Sequence, residues 1–192
     1  MLVKNQDYIS SLNRDCLPWH RMITAYGTAK KYNDLLDILE QTLDVENWEK
    51  CFEDISDFEH QGTMFPPAPF VLVFLVRLLK TLLNRDTTNS YILAKKLIDE
   101  FIYYAEVCND VGQVHHAAPL CSFADMLDEK YLLSDEVQED ELIEMFEESD
   151  VIPDHLFCSL YYYSKLVLLQ VPEILEESGK FIVESNLLKR KL

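Results

Sequence analysis

A chain of 192 residues with 34 Asp and Glu against 17 Lys and Arg carries a formal net charge of −17, a field that repels nucleic acid and anionic lipid and speeds the arrival of a basic partner. With 48% hydrophobic residues, among them 10 Phe, 10 Tyr and 2 Trp, it has enough buriable surface for one sizeable core, which excludes a disordered acidic chain. Only four glycines occur, Gly27, Gly62, Gly112 and Gly179; that excludes a P-loop or dinucleotide fingerprint, both of which cluster glycine, and argues against a turn-rich all-β fold.

In chain order, the opening residues Met1 to Asp7 lack the apolar stretch of a signal peptide, and Trp19 and Tyr26 read as packing residues. From Asn33 to Leu43 a helical stripe is formed by Leu35, Leu36, Leu39 and Leu43, and from Val45 to Phe58 by Val45, Trp48, Phe52, Ile55 and Phe58. Three prolines, Pro66, Pro67 and Pro69, then predict a rigid, extended connector after His60. Phe70 to Leu83 is apolar on all sides, the mark of a helix buried between neighbours. It is interrupted by Arg77, Lys80 and Thr81 and is shorter than the ~18–20 residues of a membrane span.

Asn84 to Thr88 is an N-cap cluster for a helix over about 89–108, with a stripe of Tyr91, Ala94, Ile98, Phe101, Ala105 and Cys108. Ala117 to Leu133 reads as a short helix. Ser134 caps a helix over 135–149, Pro153 opens one running to Gln170, and Pro172 opens the last, which ends in Lys189-Arg190-Lys191. Successive amphipathic helices with short connectors suggest stacked antiparallel pairs, with a period of roughly forty residues in the HEAT range. The expected class is all-α in a single domain: a short α-solenoid of antiparallel, HEAT-like pairs, with a compact helical bundle as the alternative.

Two stretches carry a resemblance. One is Pro18-Trp19-His20, Tyr26-Gly27-Thr28-Ala29 and Leu35 to Leu39. The other is His60-Gln61-Gly62-Thr63, the prolines, and the apolar helix from Phe70. In order and spacing they resemble the N-terminal part of bacterial HEAT-like helical-repeat proteins, over about residues 17–80. The resemblance implies an α-solenoid and a setting in toxin-immunity and contact-dependent inhibition systems, where an immunity protein neutralises one cognate toxin.

Enzymatic chemistry finds little support. The five cysteines, Cys16, Cys51, Cys108, Cys121 and Cys158, form no C-x-x-C, and most read as small core hydrophobes. His115 and His116 are adjacent and cannot both serve one site in regular backbone; no H-E-x-x-H, EF-hand loop or Gly-x-Ser-x-Gly is present. His60-Gln61-Gly62-Thr63 reads as a loop element that satisfies backbone groups. No enzyme activity, cofactor or metal is expected, and the protein is expected in the cytosol.

The acids are concentrated. Ten lie between Asp34 and Glu59, with Lys50 as the only base, and thirteen between Asp125 and Asp154, with only Lys130, so two stretches hold 23 of the 34. In the helix expected over 135–149, Glu136, Asp140, Glu144 and Glu148 stand at i, i+4 spacing, each pair costing roughly 0.2–0.5 kcal/mol in isolation. Glu147 and Glu148 also sit at the helix end where the macrodipole disfavours anions, while Leu142, Met145 and Phe146 supply the buried side. A locally unfavourable charge array points to a partner, although a solvated face is the plain alternative. The expected contacts are Glu136, Glu139, Asp140, Glu144, Glu147, Glu148 and Asp150, with Tyr162 as an aromatic anchor beside them and Glu49, Glu53 and Asp57 as a second acidic face. The expected function is that of an immunity protein that covers the active site or substrate groove of a basic toxin domain, a ribonuclease or other nuclease, without binding nucleic acid or membrane itself. The alternative is a general cytosolic HEAT-like scaffold or adaptor.

Overall fold

The computed structural model describes residues 2–109, 117–136 and 152–192. Their helices are α1 (Leu2–Ser11), α2 (Tyr32–Gln41), α3 (Val45–Ile55), α4 (Ala68–Asn84), α5 (Thr88–Asn109), α6 (Asp154–Leu168), α7 (Val171–Ser178) and α8 (Ile182–Lys191). Two short hairpins interrupt them, β1 (Ile23–Thr24) with β2 (Gly27–Thr28), and β3 (Glu59–His60) with β4 (Thr63–Met64). The fold class is all-α.

The stripes seat the helices. Leu35, Leu36 and Leu39 of α2 and Trp48, Phe52 and Ile55 of α3 are buried, and Asp44 caps α3 by accepting from the Asn47 amide at 2.8 Å. Thr87 does the same for α5, its Oγ1 accepting from the Ser90 amide at 3.1 Å. In α4 every side chain from Ala68 to Val76 is buried, followed by Leu78, Leu79, Leu82 and Leu83. Arg77 is tolerated in this helix because its guanidinium donates to the carbonyls of Leu12 at 2.8 Å and Ile9 at 2.9 Å. The Ile9 carbonyl also accepts from the Leu12 amide at 3.4 Å, and the guanidinium adds donors at the C-terminal end of α1, where helix carbonyls run short of them.

α4 is the centre of the molecule. It packs on both α5 and α6, which also meet each other, with α2 and α7 at its flanks; α2 pairs with α3, and α8 lies on α5 and α7. A row of repeats would give each pair contact only with its neighbours. Here one apolar helix is shared by four others, and the packing is compact. The ring of Phe123 fills the gap between α1, α4 and α6, edge-on to Phe70 at 5.0 Å and to Tyr163 at 5.4 Å. Its amide donates to Asn5 Oδ1 at 3.0 Å.

Four segments differ from the sequence expectations. Residues 60–64 turn back as a hairpin instead of extending, and only then do Pro66 and Pro67 lead into α4. Residues 117–133 hold two short 3-10 turns, Phe123–Leu127, opened by a Ser122–Asp125 capping box, and Glu129–Tyr131, in place of one α-helix. The last helix is two, α7 and α8, broken where Gly179 (φ 66°) and Phe181 (φ 56°) take left-handed conformations. Tyr91 is 55% exposed, since the buried face of α5 runs through Leu93, Leu97 and Tyr104. Of the cysteines, Cys51, Cys108 and Cys158 are buried, whereas Cys16 and Cys121 are exposed.

Candidate protein-binding surface

The two hairpins lie side by side. In the second, Gln61 (φ 51°) and Gly62 (φ 83°) form a two-residue turn of the I′ type, which needs positive φ at both positions and explains the glycine. Glu59 Oε1 accepts from the Gly62 amide at 2.7 Å. The Tyr161 hydroxyl of α6 donates to Gly62 O at 2.9 Å and accepts from the Met64 amide at 3.2 Å. In the first hairpin the two turn residues are Ala25 and Tyr26.

Asp57 ties the hairpins together. Its carbonyl accepts from the Ala25 amide at 3.0 Å, and its carboxylate accepts from Thr24 Oγ1 at 2.7 Å and from the Tyr32 hydroxyl. Burial pushes the Asp57 carboxyl above its ordinary range, and these two hydroxyl donors pull it back. At the tips, the Tyr26 hydroxyl and His60 Nδ1 share a hydrogen bond of 3.0 Å with the rings edge-on, 5.2 Å apart. From α5, the Tyr103 hydroxyl donates to Glu59 Oε1 at 2.9 Å.

Tyr26, His60, Glu59, Tyr103 and Glu100 therefore share one surface where the hairpins meet α5. Tyr26 is 75% exposed, and Tyr103 is exposed as well. The Glu100 carboxyl is pushed up, first by burial and then by the charges of Asp99 and Glu59. The Tyr103 hydroxyl is pushed up to about 12 by burial and by its bond to Glu59. A carboxyl whose ionisation is opposed by burial and by the charges of Asp99 and Glu59, flanked by tyrosine rings, suits an incoming cation with attached apolar surface.

A second acidic feature is a shallow cleft lined by Arg21, Glu129, Leu132, Ser134, Asp135 and Glu136. Arg21 grips Glu129 with two nitrogens and also bonds to Leu133 O, while the Leu133 amide returns to Arg21 O at 2.9 Å. His20 Nε2 reaches Asp135 Oδ1 at 3.1 Å. The start of the second acidic stretch is thereby anchored to the N-terminal third of the chain.

The contact residues expected from sequence fall into three groups. Glu136 is exposed at the rim of this cleft, and Glu139, Asp140, Glu144, Glu147, Glu148 and Asp150 lie outside the described residues. Glu53 is exposed on α3, Glu49 is half-buried and paired with Lys96 of α5, and Tyr162 is 45% exposed on α6, edge-on to Tyr163. Asp57 is a correction. α3 ends at Ile55 and the 3-10 turn Ser56–Phe58 follows, so the i, i+4 face does not continue and Asp57 turns inward between the hairpins. Tyr26 is a correction of the opposite sense, since it faces solvent; Trp19 is buried as expected. The signal for the hairpins was the repeated Gly-Thr, in Tyr26-Gly27-Thr28 and Gln61-Gly62-Thr63. For the patch it was the i, i+3 pair Glu100 and Tyr103.

Family models, curated proteins and solved structures yield no match to this chain. Among the described residues, no group of three His, Cys, Asp or Glu side chains is placed to hold a metal ion, and no helix is long and apolar enough to cross a membrane.

Proposed function

We propose that the protein acts by binding: an immunity protein that captures a basic toxin domain, a ribonuclease or other nuclease, and covers the groove in which that domain holds its substrate. The observation that carries this reading is the hairpin patch, an exposed Tyr26 fixed by His60 beside Tyr103, Glu59 and Glu100, on a chain of net charge −17. Tyrosine is among the residues that dominate binding energy at interfaces, and a ring already held in place loses little freedom on docking. Nucleases present Lys and Arg to phosphate; the same side chains fit paired carboxylates. A partner lacking a cation there would bury Glu59 and Glu100 uncompensated, so the patch would discriminate between partners as well as attract them.

The acids over 34–59 and 125–154 would supply the long-range attraction, and the patch the lasting contact. The test is co-expression with a toxin encoded in the adjoining reading frame, scored by growth, followed by binding of the purified pair. Rescue that is lost with Tyr26→Ala supports the reading. Undiminished killing together with no association of the pair overturns it.

A further inference from the structure

The outer face of α8 is apolar and uncovered. Val183 is 78% exposed and Ile182 47%, with Leu187 one turn on. Beside them, at the start of α5, stand exposed Tyr91 and Ile92; the Tyr91 ring stacks on Phe181 at 4.6 Å. Ile182, Val183, Asn186, Leu187 and Arg190 fall on one side of the helix, opposite the buried Ser185 and Leu188. The face is held firmly. Ser185 Oγ donates to Pro172 O at 3.1 Å, and Lys180 Nζ donates to Leu83 O at 2.9 Å. Phe181 adopts a left-handed conformation that is uncommon for a bulky residue and turns its ring onto Tyr91 while Ile182 and Val183 face out.

Charge identifies what can cover this face. Residues 171–192 hold four acids and four bases, so the whole net charge of −17 lies on the first 170 residues. A basic partner is drawn to those first 170 residues, and an anionic membrane is repelled by them. Two copies of the chain repel each other everywhere except through a neutral face. Within α8 the acid, Glu184, is in the first turn, and Lys189, Arg190 and Lys191 are in the last. Glu184 meets Lys95, Lys189 meets Glu176 and Lys191 meets Glu106, so these charges are balanced within one copy and the outer face offers apolar contact. Pairing about a two-fold axis closes at two copies.

We propose that this face is a self-association surface, through which two copies pair α8 against α8 around Val183 and Leu187. The proposal is independent of the toxin reading. Sedimentation equilibrium of the full chain should give a monomer–dimer equilibrium with a dissociation constant of about 0.1 mM or tighter at physiological ionic strength. Raising salt from about 0.05 M to about 0.5 M should tighten the dimer several-fold, because screening removes the repulsion between two strongly negative bodies and leaves the apolar contact. Val183→Glu should weaken it at least about tenfold, and Val183→Ser, which adds no charge, should weaken it less. Both variants should match the parent in circular dichroism and urea denaturation, as Val183 is exposed. Three results would overturn the proposal: a monomer at every concentration and salt, a Val183→Glu dimer as tight as the parent's, or Val183-dependent sedimentation with phosphatidylcholine vesicles by a protein that stays monomeric without them.

Discussion

Between Tyr32 and Met64 acids far outnumber bases, whereas between Val171 and Lys191 the charges balance. Asp37, Glu40, Glu46 and Glu49 on α2 and α3 meet Arg14, Lys50 or Lys96, so the contrast in how carboxylates are satisfied is sharpest between the hairpin end and the C-terminal helices. In the first region Asp44 accepts from a helix amide, Asp57 from two hydroxyls, and Glu59 from an amide and a tyrosine hydroxyl. In the second, Glu176 meets Lys189 and Glu184 meets Lys95, and Lys191 reaches across to Glu106. A neutral donor satisfies the lone pairs of a carboxylate but leaves its charge in place; an ammonium cancels the charge. The hairpin end is thus built and bonded yet still electrostatically open to a cation. The C-terminal pair is closed to charge and open only to apolar contact.

The largest effect should come from cutting a bonded carboxylate at the hairpin end. Asp57→Ala removes the acceptor for Thr24 and Tyr32 in a half-buried site, and we expect a loss of about 2–4 kcal/mol in urea denaturation. Val183→Ala, on the exposed face of α8, should stay within about 0.5 kcal/mol. Equal losses at the two positions would break the comparison.

Next in size is Tyr26→Ala. It should leave stability within about 0.5 kcal/mol, since the ring is mostly in solvent, and cost about 2 kcal/mol, roughly thirtyfold, in affinity for the basic partner. Titration calorimetry against that partner measures it directly; a variant that binds as tightly as the parent would remove the patch from the interface.

The helices were legible because their apolar residues repeat at helical spacing, and α4 was the plainest, with no polar face except near Arg77 and Lys80. The hairpins were not. Two-residue strands such as Glu59–His60 have no room for an alternating pattern, and what fixes them is bonding from distant residues, Tyr161 and Tyr103. Tyr26 reads as core from sequence because aromatic side chains usually pack; its position on a two-residue turn, which sets its exposure, is a product of tertiary contact with His60 and Asp57. Asp57 shared the spacing of Glu49 and Glu53, but spacing along a helix carries meaning only as far as the helix runs.

Salt separates the two regions by sign. Capture of a basic partner should weaken by about tenfold between roughly 0.05 M and 0.3 M salt, as opposed charges are screened within about 8–10 Å. Pairing through α8 should strengthen over the same range. Both can be followed in one sedimentation series with and without the partner, and two responses of the same sign would mean that both contacts draw on the same surface.

The smallest effect belongs to Glu100, and its sign is informative. Burial, Asp99 and Glu59 raise its carboxyl above the ordinary value of 4.5. Between that value and the raised one, the folded protein therefore binds more protons than the unfolded chain, and stability falls as pH rises through the window. Glu100→Gln should gain about 0.5 kcal/mol at neutral pH, a modest figure because the group is only half-buried. The gain should shrink as pH falls through the window and vanish below the ordinary carboxyl value, which denaturation of the two proteins at matched pH would show. A partner cation docked beside Glu59 and Glu100 favours the ionised form and so opposes the same shift. Binding should then release a proton within the window, and affinity should decline there as pH falls, but not for Glu100→Gln. A parent and variant with parallel pH profiles would place the cation elsewhere on the acidic surface.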